Sequence, residues 1–173
     1  RPGDAVESAV AWACALQRAE GPSSLVFSRQ NLAHQQRTPE QVAAIARGGY
    51  VLSDPPSAKF DVILVGTGSE LELARLAAVK LAEEGIQARV VSMPCFEVFK
   101  RQPLEYREGV LPSWCRKRVV VEAGSTEHWR CIAGLDGAVV GIDRFGESAP
   151  GEVLMKHFGF TVENVVAAAK ALR

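Results

Sequence analysis

The sequence predicts an α/β fold: a three-layer, mostly parallel open sheet with helices on both faces, preceded by a partial α/β remnant. Three observations carry this. Beyond residue 60, short apolar runs alternate with segments of helical period, the pattern of parallel strands joined by crossover helices. The runs Val62-Ile63-Leu64-Val65 and Val119-Val120-Val121 are apolar throughout, as strands covered on both faces must be. Residues 1–36 hold one helical and one strand-like segment, and such a pair cannot bury its own faces. That piece is therefore expected to belong to a sheet whose other strands lie upstream, with Arg1-Pro2 reading as an internal cut.

Asp4 with Glu7 has capping-box spacing, and Val6, Val10, Ala13 and Cys14 continue the helical period to the stop at Gly21-Pro22. A short strand is expected over 24–27. Thr38-Pro39 opens a second helix that ends at Gly48-Gly49. Residues 50–52 read as extended, and Asp54-Pro55-Pro56-Ser57 has turn chemistry. Strands are expected over 61–65, 88–93, 118–122 and 138–142. A helix capped by Ser69 and Glu72 should run to Gly85, and Pro103 should open another through Val110. A helix or turn is expected from Thr126 to about Ile132. The last two helices should start near Pro150, with Ser148 able to cap, and at Thr161.

Lys+Arg and Asp+Glu both number 20, so no charge excess advertises nucleic acid or an anionic membrane. No apolar stretch approaches the roughly 20 residues of a spanning helix. Cys14, Cys95, Cys115 and Cys131 are far apart and form no C-x-x-C, which points to free, structural thiols in a reducing cytoplasm.

Gly66-Thr67-Gly68 sits where a dinucleotide fingerprint would, but Leu71 replaces the third glycine and Ser92-Met93 stand where an acidic ribose ligand is needed. A tight turn with a helix cap is the better reading. His34, His128 and His157 occupy separate contexts without metal or triad spacing; His34 merits a test because it is near Arg29, and His157 reads as a helix-end residue set against the dipole. Glu122 ends a strand where open sheets place ligands, and a structural or contact role fits it better than catalysis. Glu147 reads as local geometry. Trp12, Trp114 and Trp129 read as core or interface aromatics. Arg29 follows the apolar run Leu25-Val26-Phe27. A guanidinium at a strand's exit can grip an anion in two-pronged fashion, or it can form a surface ion pair; spacing alone leaves both open.

The string Ser28-Arg29-Gln30-Asn31-Leu32 resembles transketolase. The resemblance continues in register through Ala46-Arg47-Gly48-Gly49-Tyr50-Val51-Leu52, Gly66-Thr67-Gly68-Ser69-Glu70, Val90-Val91-Ser92-Met93-Pro94, Val121-Glu122-Ala123-Gly124 and Phe145-Gly146-Glu147-Ser148-Ala149-Pro150, to Phe158-Gly159-Phe160-Thr161. It implies the C-terminal portion of such an enzyme: 1–36 as the end of the pyrimidine-binding domain, 37–57 as a linker and 58–173 as the C-terminal α/β domain. The whole family enzyme moves a two-carbon ketol unit between sugar phosphates in the pentose phosphate pathway, with thiamine diphosphate and Mg or Ca, as a cytoplasmic homodimer. Arg29 is then the residue that contacts the substrate phosphate. Catalytic, cofactor and metal residues lie upstream in the family, so none is expected here, and the fragment alone should bind no cofactor and show no ketol transfer. The alternative is a non-catalytic assembly or regulatory domain of another thiamine enzyme, of the deoxyxylulose-phosphate synthase or 2-oxoacid dehydrogenase type. S-R-Q-N followed by R-G-G-Y favours transketolase.

Overall fold

The computed structural model describes residues 1–57 and 59–172. Five strands form one sheet in the order β1-β3-β2-β4-β5: Tyr50–Ser53 (β1), Val62–Gly66 (β2), Ala88–Ser92 (β3), Arg118–Val121 (β4) and Ala138–Val140 (β5). All neighbours run parallel except β1, which lines the edge antiparallel to β3. The mostly parallel open sheet expected from the apolar runs is thus present. Its antiparallel edge lies inside the stretch read as a linker.

The helices are Ala5–Gln17 (α1), Pro39–Ile45 (α2), Leu71–Glu83 (α3), Phe96–Phe99 (α4), Leu104–Val110 (α5), Arg130–Ala133 (α6), Gly151–His157 (α7) and Val162–Ala171 (α8). On one face of the sheet Val62, Leu64, Val90, Val119 and Val121 pack against Ala74, Ala77 and Leu81 of α3 and Val165 and Ala169 of α8. The other face joins Ile63, Val65, Val91 and Val120 to Phe99, Val110, Trp129 and Ile132. Alternate residues of each strand feed opposite cores, which is why the strands read as unbroken apolar runs.

Several expected caps form. Asp4 accepts from the Glu7 amide, Thr38 and Gln41 form a reciprocal box with Pro39 at the first position, and Thr161 accepts from the Asn164 amide. Gly85 ends α3 in the left-handed region, at φ 77°.

Other expectations are corrected. No strand forms over 24–27: among the described residues no neighbour supplies a ladder, and Val26 and Phe27 stand 56% and 45% exposed. The Ser69–Glu72 box does not form either. A single 3₁₀ turn, Gly68–Glu70, precedes α3 and draws Glu70 inward, while Glu72 turns to Arg75 and Gln35. Pro150, not Ser148, is the N-cap of α7, and no side chain caps it. The strand expected over 138–142 stops at Val140, because Ile142 instead donates its amide to Gly124. Between the strand expected over 88–93 and the helix opened by Pro103, the chain also forms α4, for which no expectation was stated.

Candidate functional site

In an open parallel sheet the ligand crevice lies at the strands' carboxyl ends, where the chain departs to opposite sides of one strand. Here that strand is β2, flanked by β3 and β4. A cavity of about 610 Å³ opens there, walled by Thr67, Met93, Pro94 and Glu122 on the sheet side and by α1 and residues 22–26 on the other.

Arg1 reaches all three strand ends. Its guanidinium lies 3.1 Å from the Glu70 carboxylate and donates to Glu122 at 2.7 Å. Its backbone nitrogen donates to the Pro94 carbonyl at 2.8 Å, and its own carbonyl accepts from the Gly68 amide at 3.2 Å. Glu70 is fully buried and also accepts from the Ala123 amide at 3.0 Å. The Trp129 indole donates to Glu122. Burial alone would lower the Arg1 pKa, but the two carboxylates outweigh it and raise the value.

A second constellation ties α1 to the sheet. Glu7, fully buried, accepts from the Tyr50 hydroxyl and the Ser92 hydroxyl, each at 2.6 Å, from Arg37 at 3.2 Å and from the Gly3 amide at 2.6 Å. Arg37 also donates to Asp4 at 2.5 Å and to the Tyr50 oxygen at 2.6 Å. Burial drives the Tyr50 pKa well above the usual phenol value, and Glu7 adds to the shift, so Tyr50 remains a neutral donor. Burial would raise the Asp4 pKa, yet Arg37 and the amides of Glu7 and Gln35 together hold it below the usual value.

The consequence for pH follows from linkage. A carboxylate depressed in the folded state stabilises it above the unfolded pKa, and that contribution disappears as pH falls through the folded value. Stability is therefore expected to fall below about pH 4. Asp4→Asn should flatten that acid limb, as measured by urea unfolding across pH; an unchanged slope would remove Asp4 from the account.

Arg29 lies in a bend, exposed, and forms no ion pair among the described residues. It does not line the cavity. The structure thus places the expected phosphate-gripping residue and the sheet-end crevice in separate surroundings. His34 is exposed, with its Nδ1 3.7 Å from Asp4. His128 stands edge-on to Phe96 and Trp129, 3.8 Å from Glu97. His157 ends α7 as expected and shares Glu147 with Arg144. Trp129 is core, whereas Trp12 stacks on Phe27 at the surface and the exposed Trp114 lies tilted against Phe60. All four cysteines are free; only Cys115 is buried, and Cys131 is exposed. Sequence reasoning missed Arg1, Arg37, Tyr50 and Ser92 as interacting residues. Glu7 showed itself only as a cap partner, because three of its four side-chain partners lie 30 to 85 positions away.

The chain matches the family described as Transketolase-like TK C-terminal domain over residues 48–161. The chain belongs to the transketolase family. It is 56% identical to transketolase 1 of Escherichia coli over 172 residues, 99% of this chain and 26% of that enzyme. The structure superposes on transketolase from Leishmania mexicana with TM-score 0.91 and 41% identity, over 99% of this chain and 24% of that one. It also resembles a split gene transketolase, solved as an inactive beta4 tetramer, with TM-score 0.64 and 27% identity over 99% of this chain and 56% of that one. The chain thus spans about a quarter of the length of the curated transketolase it matches.

The residues present do not fit the thiamine diphosphate and divalent cation that transketolase family membership implies. A diphosphate at the sheet-end crevice would meet Glu70 and Glu122, two carboxylates around one guanidinium. Among the described residues, no three His, Cys, Asp or Glu side chains are grouped so as to hold a metal ion, and no helix is long and apolar enough to cross a membrane.

Proposed function

We propose that this chain is the C-terminal portion of an enzyme that transfers two-carbon ketol units between sugar phosphates, and that Arg29 is its contact to the substrate phosphate. The observation that carries the assignment is an exposed guanidinium, without an ion pair among the described residues, inside the Ser28-Arg29-Gln30-Asn31 string. Arginines with a packing role find a partner inside the chain, as Arg37 does in Asp4 and Arg118 in backbone carbonyls; one at a bend with no hydrogen bond or ion pair among the described residues is available to a dianion. In this reading residues 1–36 complete the pyrimidine-binding domain, 37–57 connect it to the C-terminal α/β domain of 58–173, and the intact enzyme is a cytoplasmic homodimer that carries thiamine diphosphate and Mg or Ca on other segments.

In the intact enzyme, Arg29→Ala is expected to raise KM for phosphorylated donor and acceptor about 10- to 100-fold, the worth of charge-assisted hydrogen bonds. The kcat should change little, since a grip remote from the reacting carbon binds ground and transition states alike. Steady-state kinetics with phosphorylated sugars check this, and an unchanged KM would take Arg29 out of the site.

The chain by itself is proposed to bind no thiamine diphosphate and to transfer no ketol groups. Support comes from the carboxylate-lined crevice and from the likeness to a split gene transketolase described as inactive. Isothermal titration of the chain with cofactor and magnesium should give no saturable heat; stoichiometric binding would refute the proposal.

A further inference from the structure

We infer that the carboxyl ends of β2, β3 and β4 carry a guanidinium receptor with Arg1 as its ligand, so that this end of the sheet is a lock for the segment leading into α1. The position is the one where open α/β sheets hold ligands, yet its chemistry suits a planar cation. Two carboxylates approach from beyond the carboxyl ends of the neighbouring strands β2 and β4, Glu70 at 3.1 Å and Glu122 at 2.7 Å, each contacting a different terminal nitrogen of the guanidinium. That separation matches a fork and not a compact ammonium.

The acidic pair is built as a receptor. Glu70 is fully buried, and the Ala123 amide and the Ser69 hydroxyl occupy its remaining acceptor sites. The Trp129 indole orients Glu122. The backbone of Arg1 is held as well, by Pro94 on one side and Gly68 on the other, bonds that an amide group makes equally well. Gly3 follows at close range: a Cβ there would come within 2.8 Å of Leu71 and 3.2 Å of the Gly68 carbonyl. Residues 1–3 are therefore seated in the crevice, and Gly3 passes the connection on to Glu7 through its amide. The inference is independent of Arg29.

The test is chemical rescue in the 173-residue chain. Arg1→Ala should lower the thermal midpoint by about 5 °C or more, because a buried carboxylate loses its counter-ion. Ethylguanidinium should restore much of that loss with saturation in the millimolar range, as expected for a ligand that binds only the folded form. Ethylammonium or KCl at the same ionic strength should not. Equal responses of wild type and Arg1→Ala to ethylguanidinium would overturn the inference, as would rescue by ethylammonium of the same size. Should Arg1→Ala fail to fold, a cycle of Arg1→Gln and Glu122→Gln decides. Coupling predicts that the second substitution costs less than about half its single effect on the midpoint, and full additivity overturns the inference.

Discussion

Glu7→Ala is expected to destabilise the chain by about 3–5 kcal/mol, the largest loss from a single polar side chain. The carboxylate is fully buried and accepts four hydrogen bonds, from Gly3, Arg37, Tyr50 and Ser92. Truncation leaves the Tyr50 and Ser92 hydroxyls and the Gly3 amide without that acceptor in the interior. It also removes one of the two carboxylates that neutralise a guanidinium whose side chain is only 1% exposed. Each buried group left unpaired costs about 1–3 kcal/mol, and more when charged. Tyr50→Phe, which removes one donor and leaves the ion pairs in place, should cost only about 1 kcal/mol. Urea unfolding followed by tryptophan fluorescence measures both. A loss below about 1 kcal/mol for Glu7→Ala, at unchanged slope, would show that the network contributes little net stability.

Gly48→Ala should cost about 2–4 kcal/mol. Gly48 has φ 86°, in the left-handed region that costs a side-chain-bearing residue roughly 1–2 kcal/mol. The space is also closed: a Cβ would lie 2.3 Å from the Cys95 carbonyl oxygen and 2.6 Å from the Phe99 nitrogen. Both are backbone atoms, one at the N-cap of α4 and one in its last residue, so relief requires moving the helix away from the lead-in to β1, at an overpacking cost of about 1–3 kcal/mol. That shift would strain the bond from the Cys95 amide to the Gly48 carbonyl. Equilibrium unfolding of the variant beside Gly109→Ala, where a Cβ meets nothing within 4 Å, isolates the effect. Equal stabilities would mean that α4 yields without cost.

Both experiments bear on why the chain reads as it does. The string Arg47-Gly48-Gly49-Tyr50 supported the family resemblance, and the structure gives each member a packing duty. Arg47 lies over the Tyr106 ring at 4.0 Å, Gly48 and Gly49 admit α4 and Met93, and Tyr50 donates to Glu7. The likeness in this stretch is thus rooted in close backbone approach and a buried hydrogen bond. Arg29 differs, since no hydrogen bond or ion pair among the described residues accounts for it.

The helices with side-chain caps and the central strands could be read directly because their signals are local. Asp4, Thr38 and Thr161 bond to amides three residues on, and β2 and β4 are apolar along their buried lengths. The segment 24–27 was misread because its composition suits a strand, but a strand requires a partner, and none is paired with it among the described residues. Ser69 and Glu72 had the right spacing for a cap, yet Arg1 and the Ala123 amide provide Glu70 with partners that hold the turn in another form.

By itself the sequence determined the alternation of parallel strands and helices, the two-sided burial of the sheet, most helix starts and the family, because periodicity, capping and motif order are written within a few residues of one another. Only the tertiary structure decided that β1 joins the edge antiparallel, that Arg1 bridges Glu70 and Glu122 at the strand ends, and that Glu7 is the hub of a buried network. Those outcomes depend on pairs 30 to 121 positions apart, and which distant charges meet in a dry interior is set by how the layers pack, a relation that no local pattern records.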